Sequence, residues 1–209
     1  PMIVLFGENG GGDVIDVKFA RPGGAFTDNG TGLYFNVTAG ASGSIRIDGN
    51  VILQGNSALI SKDAVVVTGN ISRDAGATNG VNLSVTASTL NTGSTASNSG
   101  SINLGETGQL GLTLDSESKI NGAIVAASLT KSGIGQLSLF GDNVGLGAIT
   151  FRNGTLVVAP TGNLGNGLLT LGDSNGNGET ILRLAAPQDI EIVQPISLSG
   201  NSRIEAVGR

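Results

Sequence analysis

Residues 135–139 read Gly-Gln-Leu-Ser-Leu, and the same template of a glycine followed by alternating apolar positions returns at 154–158 (Gly-Thr-Leu-Val-Val) and 167–171 (Gly-Leu-Leu-Thr-Leu). The starts of these copies are 19 and 13 residues apart, so the repeat is irregular. Successive side chains of a strand point to opposite faces, so each copy predicts a short strand with one apolar face. Irregular repeats of short strands are typical of a β-solenoid, in which each strand pairs with the equivalent strand one coil away.

Other parts of the chain carry the same alternation and leave no room for helices. Glycine occurs 35 times, and each glycine inside a helix costs about 0.8–1 kcal/mol. The longest stretch without glycine or proline runs from Asn56 to Thr68, and its β-branched residues Val65–Thr68 favour a strand. The sequence therefore predicts an all-β chain, with alternating strands at Ser44–Ile47, Gly80–Val85, Gly108–Leu114 and Gln136–Leu139.

Composition predicts a folded chain with a narrow interior. Hydrophobic residues make up 39% and charged residues 13%, the reverse of the balance found in disordered chains. Aromatic residues are only 3%, so the core has to be aliphatic. The alternative fold is an antiparallel β-sandwich, which ranks second because Asp-Gly and Asn-Gly hairpin signals such as Asp48-Gly49 and Asn79-Gly80 are few.

Several function classes are excluded or disfavoured by residues that the chain lacks. It has no cysteine and no histidine, which excludes disulfides, thiolate sites, imidazole zinc sites and Ser-His-Asp proteolysis. Its net charge of −5 and scattered basic residues disfavour nucleic-acid binding. Neither a signal peptide nor a membrane-spanning run is found, so this segment is not expected to insert into a membrane. A start at Pro1 and an end at Arg209 without an evident cap suggest a fragment of a longer chain.

The segment from Ile120 to Gly172 resembles the passenger-associated transport repeat, also called the autotransporter-associated β-strand repeat. Three features carry this resemblance, which covers about a quarter of the chain. The chain departs from the family at one point: the usual Tyr-Thr-Gly-like step after Asn143 is replaced by Val144–Gly147. The features are the Leu-Thr-Lys-x-Gly-x-Gly-x-Leu-x-Leu run (Leu129, Thr130, Lys131, Gly133, Gly135, Leu137, Leu139), Gly141 with Asn143, and the Gly154-Thr155-Leu156 and Leu164-Gly165 steps.

The resemblance implies a right-handed parallel β-helix from the passenger of a secreted bacterial autotransporter, located at the cell surface outside the outer membrane. In that family the repeat is associated with secretion and folding of the passenger, usually beside a membrane barrel that this chain lacks. We expect one β-solenoid segment over residues 1–209, with irregular coils at 1–119, transport-repeat-like coils at 120–172 and terminal coils at 173–209.

Candidate chemistry is sparse. Asp115 with Glu117, and Asp189 with Glu191, are predicted same-face pairs on strands, and clustered carboxylates would suit a polysaccharide lyase or hydrolase. A solvated outer face is the preferred explanation of both pairs, because acids that alternate with Leu, Ser or Ile need no further reason, so no catalytic residue is assigned.

Two segments resemble calcium loops. Asp173–Asn177 has the first half of such a loop, but Leu184 stands where a bidentate glutamate belongs, so a tight turn is preferred. Gly10–Asp13 resembles a single calcium nonapeptide and is interpreted as a turn. We assign no metal and no cofactor.

The expected function is a structural or adhesive surface module without enzymatic activity. Candidate contact regions for a glycan or a host or cell-surface ligand are the low-complexity segment Ala87–Ser101, interpreted as a loop outside the coil, and Gly7–Gly32. Self-association through solenoid ends is a second possibility, since Met2–Phe6 is continuously apolar. The remaining alternatives are a self-assembling extracellular fibre or matrix subunit, a carbohydrate-active β-helix enzyme, and a glycan binder similar to phage tail fibres.

Overall fold

The chain folds as a parallel β-helix, or β-solenoid, in a computed structural model that describes residues 13–16, 36–38, 43–93, 100–159, 163–173, 178–185 and 192–207. The described residues form nineteen strands, numbered β1–β19 in chain order, and contain no helix. All the pairings between these strands are parallel. Parallel pairing of successive strands requires the chain to return to the same side after each circuit, and this produces a stack of coils.

Two sheets form the long faces of the stack. Sheet A has nine strands in the order β1, β3, β6, β9, β11, β13, β15, β17 and β19. Its strands are Asp13–Asp16 (β1), Gly43–Ile47 (β3), Ala64–Val67 (β6), Thr89–Thr92 (β9), Ser118–Ile120 (β11), Gln136–Leu139 (β13), Gly154–Val158 (β15), Glu179–Ala185 (β17) and Asn201–Val207 (β19).

Sheet B has ten strands, of which eight follow one another in the order β2, β5, β8, β10, β12, β14, β16 and β18, while β4 and β7 pair beside them. Its long strand β10 is irregular at Gly105, where its first residues pair with β7 and its last residues with β8. The strands are Asn36–Thr38 (β2), Val51–Leu53 (β4), Ser57–Ile60 (β5), Ile71–Arg73 (β7), Leu83–Ala87 (β8), Ile102–Leu114 (β10), Ile124–Ser132 (β12), Leu146–Phe151 (β14), Leu169–Leu171 (β16) and Ile196–Leu198 (β18).

The core consists of columns of inward side chains that run along the stack. Because parallel strands pair in register, an inward residue on one coil lies directly over an inward residue on the next. Apart from Phe151, the buried cluster is aliphatic, as the low aromatic content predicts. One column of sheet A contains Ile45, Val65, Leu90, Ser118, Leu137, Leu156, Leu182 and Ile204. One column of sheet B contains Leu59, Val85, Leu112, Lys131, Phe151, Leu171 and Leu198.

The number of residues in each coil changes along the rod. In sheet B, Leu129 pairs with Leu110 after 19 positions, Ile149 with Leu129 after 20, and Leu169 with Ile149 after 20. The coils on either side are longer, since Leu110 pairs with Leu83 after 27 positions and Ile196 with Leu169 after 27. The short, regular coils overlap the segment that resembles the transport repeat.

The 13-residue step in the glycine template has a simple structural cause. The copies at 135–139 and 154–158 form β13 and β15, which pair in sheet A with Leu137 opposite Leu156. The third copy forms β16, which belongs to sheet B. The third copy is therefore not the next equivalent strand, and the irregular spacing reflects two different faces of one coil.

Glycine begins the template at 135 and 154 because neighbouring coils approach each other closely at this corner. A Cβ at Gly135 would lie 2.3 Å from the carbonyl oxygen of Ser116, and one at Gly154 would lie 2.4 Å from the carbonyl oxygen of Gly135. Gly154 also has a φ of 89°, in the left-handed region that glycine adopts without strain. A side chain at either position would separate stacked backbones.

The structure confirms the predicted solenoid and excludes the antiparallel sandwich for the described strands. The window Asn56–Thr68 contains two strands, β5 and β6, as the β-branched residues indicate.

The interpretation of Ala87–Ser101 as a loop was wrong for its first part. Residues Thr89–Thr92 form β9, with Leu90 and Thr92 fully buried, while 94–99 lie outside the described residues. Composition did not predict this strand, because Leu90 is its only aliphatic residue. Its second inward position is occupied by Thr92, whose hydroxyl donates a hydrogen bond to the carbonyl of Gly100.

We predict that Leu156→Ala lowers the free energy of unfolding by about 2–5 kcal/mol, because it opens a cavity in a stacked column. Thr155→Ala, on the outward side of the same strand, is the matched control and should change it by no more than about 0.5 kcal/mol. Urea denaturation followed by circular dichroism measures both. Equal losses in the two variants would contradict the assignment of inward and outward faces.

Candidate functional site

The carboxylate pair Asp115 and Glu117 does not form a catalytic arrangement on one strand face. β10 ends at Leu114 and β11 begins at Ser118, so both carboxylates lie in the turn where the chain passes from sheet B to sheet A. Both side chains are exposed, and Glu117 forms an ion pair of 3.0 Å with Lys119. The prediction that this pair lies on a strand was wrong, because the last inward residue of sheet B, Leu114, is followed by a change of direction. Asp189 and Glu191 lie outside the described residues.

The calcium-like motifs are only partly described. Asp173 is half-buried, whereas 174–177 lie outside the described residues. Leu184, at the twelfth position, occupies a core column opposite Val158 and packs against the buried cluster. A core position explains why a leucine stands there. At the other motif, Asp13 begins β1, and Gly10–Gly12 lie outside the described residues.

Within the described part of the chain, no three Asp, Glu, His or Cys residues come together as a metal-binding group. A search of the same residues for helices long and apolar enough to span a membrane found none.

The most unusual polar group of the described core is Lys131, a residue of the Leu-Thr-Lys-x-Gly-x-Gly-x-Leu-x-Leu run. Its side chain is fully buried in a column of sheet B, between Leu112 and Phe151. The sequence indicates this inward position, because Lys131 follows Leu129 by two residues in β12 and side chains two residues apart in a strand point to the same face. Lysine is almost never fully buried unless its ammonium group has partners.

Backbone carbonyls supply those partners. The Lys131 Nζ donates hydrogen bonds to the carbonyl oxygens of Gly133 and Gly135 in the corner that follows β12. It also donates to the carbonyl of Asn153 on the next coil, at 3.0 Å. Its Nζ lies 5.0 Å from the centre of the Phe151 ring, close enough for a cation–π interaction. The side chain thus joins two neighbouring corners from inside the solenoid.

Burial lowers the pKa of Lys131 to about 8, while the nearby Asp115 carboxylate acts in the opposite direction. A pKa near 8 leaves the amine largely protonated at neutral pH. The ammonium form suits the site, because three donors are required to satisfy three carbonyl oxygens. No substrate can reach this amine, since the side chain has no exposed surface.

A buried asparagine performs a similar joining role at the opposite corner. Asn143 is fully buried, and its Oδ1 accepts a hydrogen bond of 2.8 Å from the backbone N–H of Ile124 on the preceding coil. Its Nδ2 donates to the carbonyl of Gly141 at 2.9 Å and to that of Asn163, on the following coil, at 2.6 Å. One side chain therefore connects three successive coils.

Asparagines connect coils in the first half of the rod as well. The Oδ1 of Asn70 accepts hydrogen bonds from the backbone N–H groups of Gly100 and Ser101, at 2.9 and 3.0 Å. The backbone N–H of Asn70 in turn donates to the Oδ1 of Asn50 at 2.8 Å. These contacts satisfy backbone groups at corners, where the strand ladder cannot. The polar groups that the fold brings together therefore hold coils to one another.

Comparison of the chain with protein-family models, with curated proteins and with solved structures found no match. The geometry of the described residues is thus the basis for assigning a role. That geometry is a stack of parallel coils, with polar side chains that form hydrogen bonds between coils at the corners.

We predict that the free energy of unfolding rises by roughly 2–3 kcal/mol as the pH is raised from 8 to 10.5, because of Lys131. The folded-state pKa of about 8 lies below the ordinary value of 10.5, so in this window the unfolded chain binds more protons than the folded chain. Lys131 is protonated in both states below the window and deprotonated in both above it. Urea titrations across the window measure the rise, and the NMR shift of the Lys131 Cε should titrate near pH 8.

Lys131→Met is the control, and its free energy of unfolding should lack this rise. A Cε titration midpoint near the ordinary lysine value, or the same rise in Lys131→Met, would contradict the prediction.

Proposed function

We propose that this chain is a structural segment of a secreted bacterial surface protein of the autotransporter type, a rod that supports export of its parent chain and displays binding loops. The observation that carries the proposal is the stack of parallel coils with continuous buried columns. The column of sheet A is buried from Ile45 to Leu182. The transport-repeat resemblance of residues 120–172 supports the same assignment.

The stack suits a chain that emerges from a pore end-first. Each coil contacts only its neighbours, so a newly exposed coil can pair with the edge of one already folded. The hydrogen bonds of Asn143 and Lys131 also join adjacent coils only. Folding outside the membrane can then proceed coil by coil, and refolding on the outside opposes backward movement of the chain.

The proposed role is not catalytic. Lys131 is enclosed by its own backbone partners, and the turn that carries Asp115 and Glu117 projects from a corner, with Glu117 paired to Lys119. Loops inserted at corners, where coil length varies, remain the natural positions for contacts with a glycan or a cell surface.

The export role is tested by fusing the 209-residue chain between a signal peptide and a translocator β-barrel in a Gram-negative host. We expect surface display of a protease-resistant fragment that contains the regular coils. Leu137→Pro, which introduces proline into the interior strand β13, should reduce display of the resistant fragment severalfold, because it removes a ladder hydrogen bond. Ser84→Ala, on the outer face of β8, is the control, because it changes an exposed side chain and keeps the ladder hydrogen bonds. Equal display of the Leu137→Pro variant would contradict a role for coil stacking in export.

The adhesive role is tested on the same displayed protein by deleting residues 94–99. The deletion begins after β9, so the buried Leu90 and Thr92 are retained. If this segment contacts a ligand, attachment to glycan arrays or host cells should fall to the level of an empty display strain, while protease resistance is kept. Unchanged attachment would assign adhesion to another part of the rod, and absence of attachment by the intact chain would limit the role to support.

A second candidate function is self-association, favoured by apolar side chains on the last described coils. Ile204 is 47% exposed, Leu198 57% and Val193 67%. Ile204 and Leu198 continue columns that are buried on the preceding coils at Leu182 and Leu171. An interior column that ends on an exposed surface can be extended by another coil.

Self-association predicts that the mass measured by light scattering increases with protein concentration. Ile204→Lys with Leu198→Lys should abolish the increase, and Lys62→Gln, on an exposed corner, serves as the control. A constant monomer mass over the whole range of concentrations would exclude this candidate.

A further inference from the structure

Four Asn-Gly pairs lie in the chain with both residues described: Asn79-Gly80, Asn121-Gly122, Asn153-Gly154 and Asn166-Gly167. The dipeptide has a known intrinsic reactivity, because glycine has no Cβ to hinder attack of its backbone nitrogen on the side-chain amide of the preceding asparagine. Since the dipeptide is the same in all four pairs, differences in reactivity between them have to come from the structure.

In two pairs, a hydrogen bond holds one of the reacting groups. The backbone N–H of Gly80, the nucleophile that would attack Asn79, donates to the Oγ1 of Thr107 at 2.8 Å. The Nδ2 of Asn121, the leaving group in the second pair, donates to the backbone carbonyl of Thr92 at 2.7 Å. Cyclisation at either pair requires one of these contacts between coils to break.

In the third pair, Asn153 is held on two sides. Its backbone carbonyl accepts the hydrogen bond from the Lys131 Nζ. Its side-chain amide lies against Gly178 so closely that a Cβ there would be 2.5 Å from the Asn153 Cγ. The rotation that brings this side chain onto the nitrogen of Gly154 is therefore obstructed.

The fourth pair is different. Asn166 is exposed, and among the described residues its side chain has no hydrogen-bond partner, nor does the backbone N–H of Gly167. Gly167 itself is tightly placed, since a Cβ there would lie 2.3 Å from the carbonyl carbon of Gly147 and 2.5 Å from the nitrogen of Ala148. Both reacting groups of this pair are available, at a corner where Gly167 packs closely against the preceding coil.

We propose that Asn166 is a site of spontaneous deamidation and isoaspartate formation. The Gly167 nitrogen loses its proton to hydroxide and attacks the Asn166 Cγ, which forms a C–N bond. The Cγ–Nδ2 bond breaks, and ammonia leaves with a proton from water, so that a succinimide ring remains. Water then opens the ring at one of its two carbonyls and gives either aspartate or isoaspartate. The net reaction consumes one water and releases one ammonia.

Isoaspartate at position 166 disturbs the stack more than aspartate does, because it places one additional carbon in the main chain immediately before Gly167. Gly167 lies against the backbone of Gly147 and Ala148, and two residues later β16 begins at Leu169. β16 pairs with β14 on one side and β18 on the other. A longer backbone at this corner therefore weakens the pairing of β16 and, through it, of β18.

The first test is incubation of the folded protein in mildly alkaline buffer at physiological temperature, followed by peptide mapping with mass spectrometry and isoaspartate detection. Of the four pairs, Asn166 should convert first and severalfold faster than the others. The same incubation in denaturant is the control, and there the four rates should converge. Conversion of Asn79, Asn121 or Asn153 as fast as Asn166 in the folded protein would overturn the proposal.

The second test separates the effect of the added carbon from that of the added charge. Asn166→Asp introduces the charge with a normal backbone, and Asn166→Gln removes the fast cyclisation, since glutamine would have to form a six-membered ring. Amide hydrogen exchange in β16 and β18 should increase severalfold in the aged wild type, while Asn166→Asp and aged Asn166→Gln should keep the original protection. An equal increase in Asn166→Asp, or no increase in a wild type shown to contain isoaspartate, would overturn the proposed effect on the stack.

Discussion

The in-register stacking of inward side chains is the constraint on which the rest of this structure depends. A strand can join the stack only if its apolar residues lie over those of the preceding coil, because a shift by one residue turns every side chain to the other face. In sheet A this alignment is kept although coils differ in length: Leu137 lies 19 positions after Ser118, and Leu182 lies 26 after Leu156. Extra residues are accommodated at corners, and the columns remain intact.

The corners pose a separate problem, because backbone groups there leave the strand ladder and still need partners. This chain uses polar side chains that reach between coils. The Asn143 amide connects three coils, and the Lys131 ammonium gathers three carbonyls from inside the core. Close stacking at these corners is possible because glycines such as Gly135 present no side chain. Apolar columns and polar corners are thus two parts of the same packing arrangement.

The fold class could be predicted from alternation and glycine spacing, because both follow directly from strand geometry. β13 was predicted with its observed bounds, since Gln136–Leu139 shows the alternation without interruption. β9 was missed because Thr92 takes an inward position that composition reads as polar. Asp115 was placed on a strand because two-residue spacing looks the same in a strand and in a turn. What alternation cannot reveal is where a strand ends, which depends on contacts with the neighbouring coil.

The polar core was harder to predict than the apolar one. Lys131 has the inward phase of β12, but a lysine is ordinarily assigned to the surface, and its partners are backbone carbonyls that leave no trace in residue types. The same holds for the four Asn-Gly pairs. They look equivalent in the sequence and differ only in the contacts of the asparagine side chain and of the glycine backbone N–H. The local pattern therefore predicted the scaffold, whereas the partners of the buried polar groups depend on contacts between neighbouring coils, such as that of Lys131 with Asn153.

The buried lysine has a consequence for the fidelity of assembly. Aliphatic columns in a repetitive stack are nearly interchangeable, so a coil could in principle pair with the wrong neighbour at little cost in apolar contact. Lys131 reduces that degeneracy, because the third acceptor of its ammonium group, the carbonyl of Asn153, lies on the next coil. In a stack displaced by one coil, Lys131 would keep the acceptors of its own corner, Gly133 and Gly135, but would lose the carbonyl of Asn153. A hydrogen bond to a charged group is worth about 1.5–3 kcal/mol. This one buried cation therefore favours pairing with the correct neighbouring coil over pairing with a similar one.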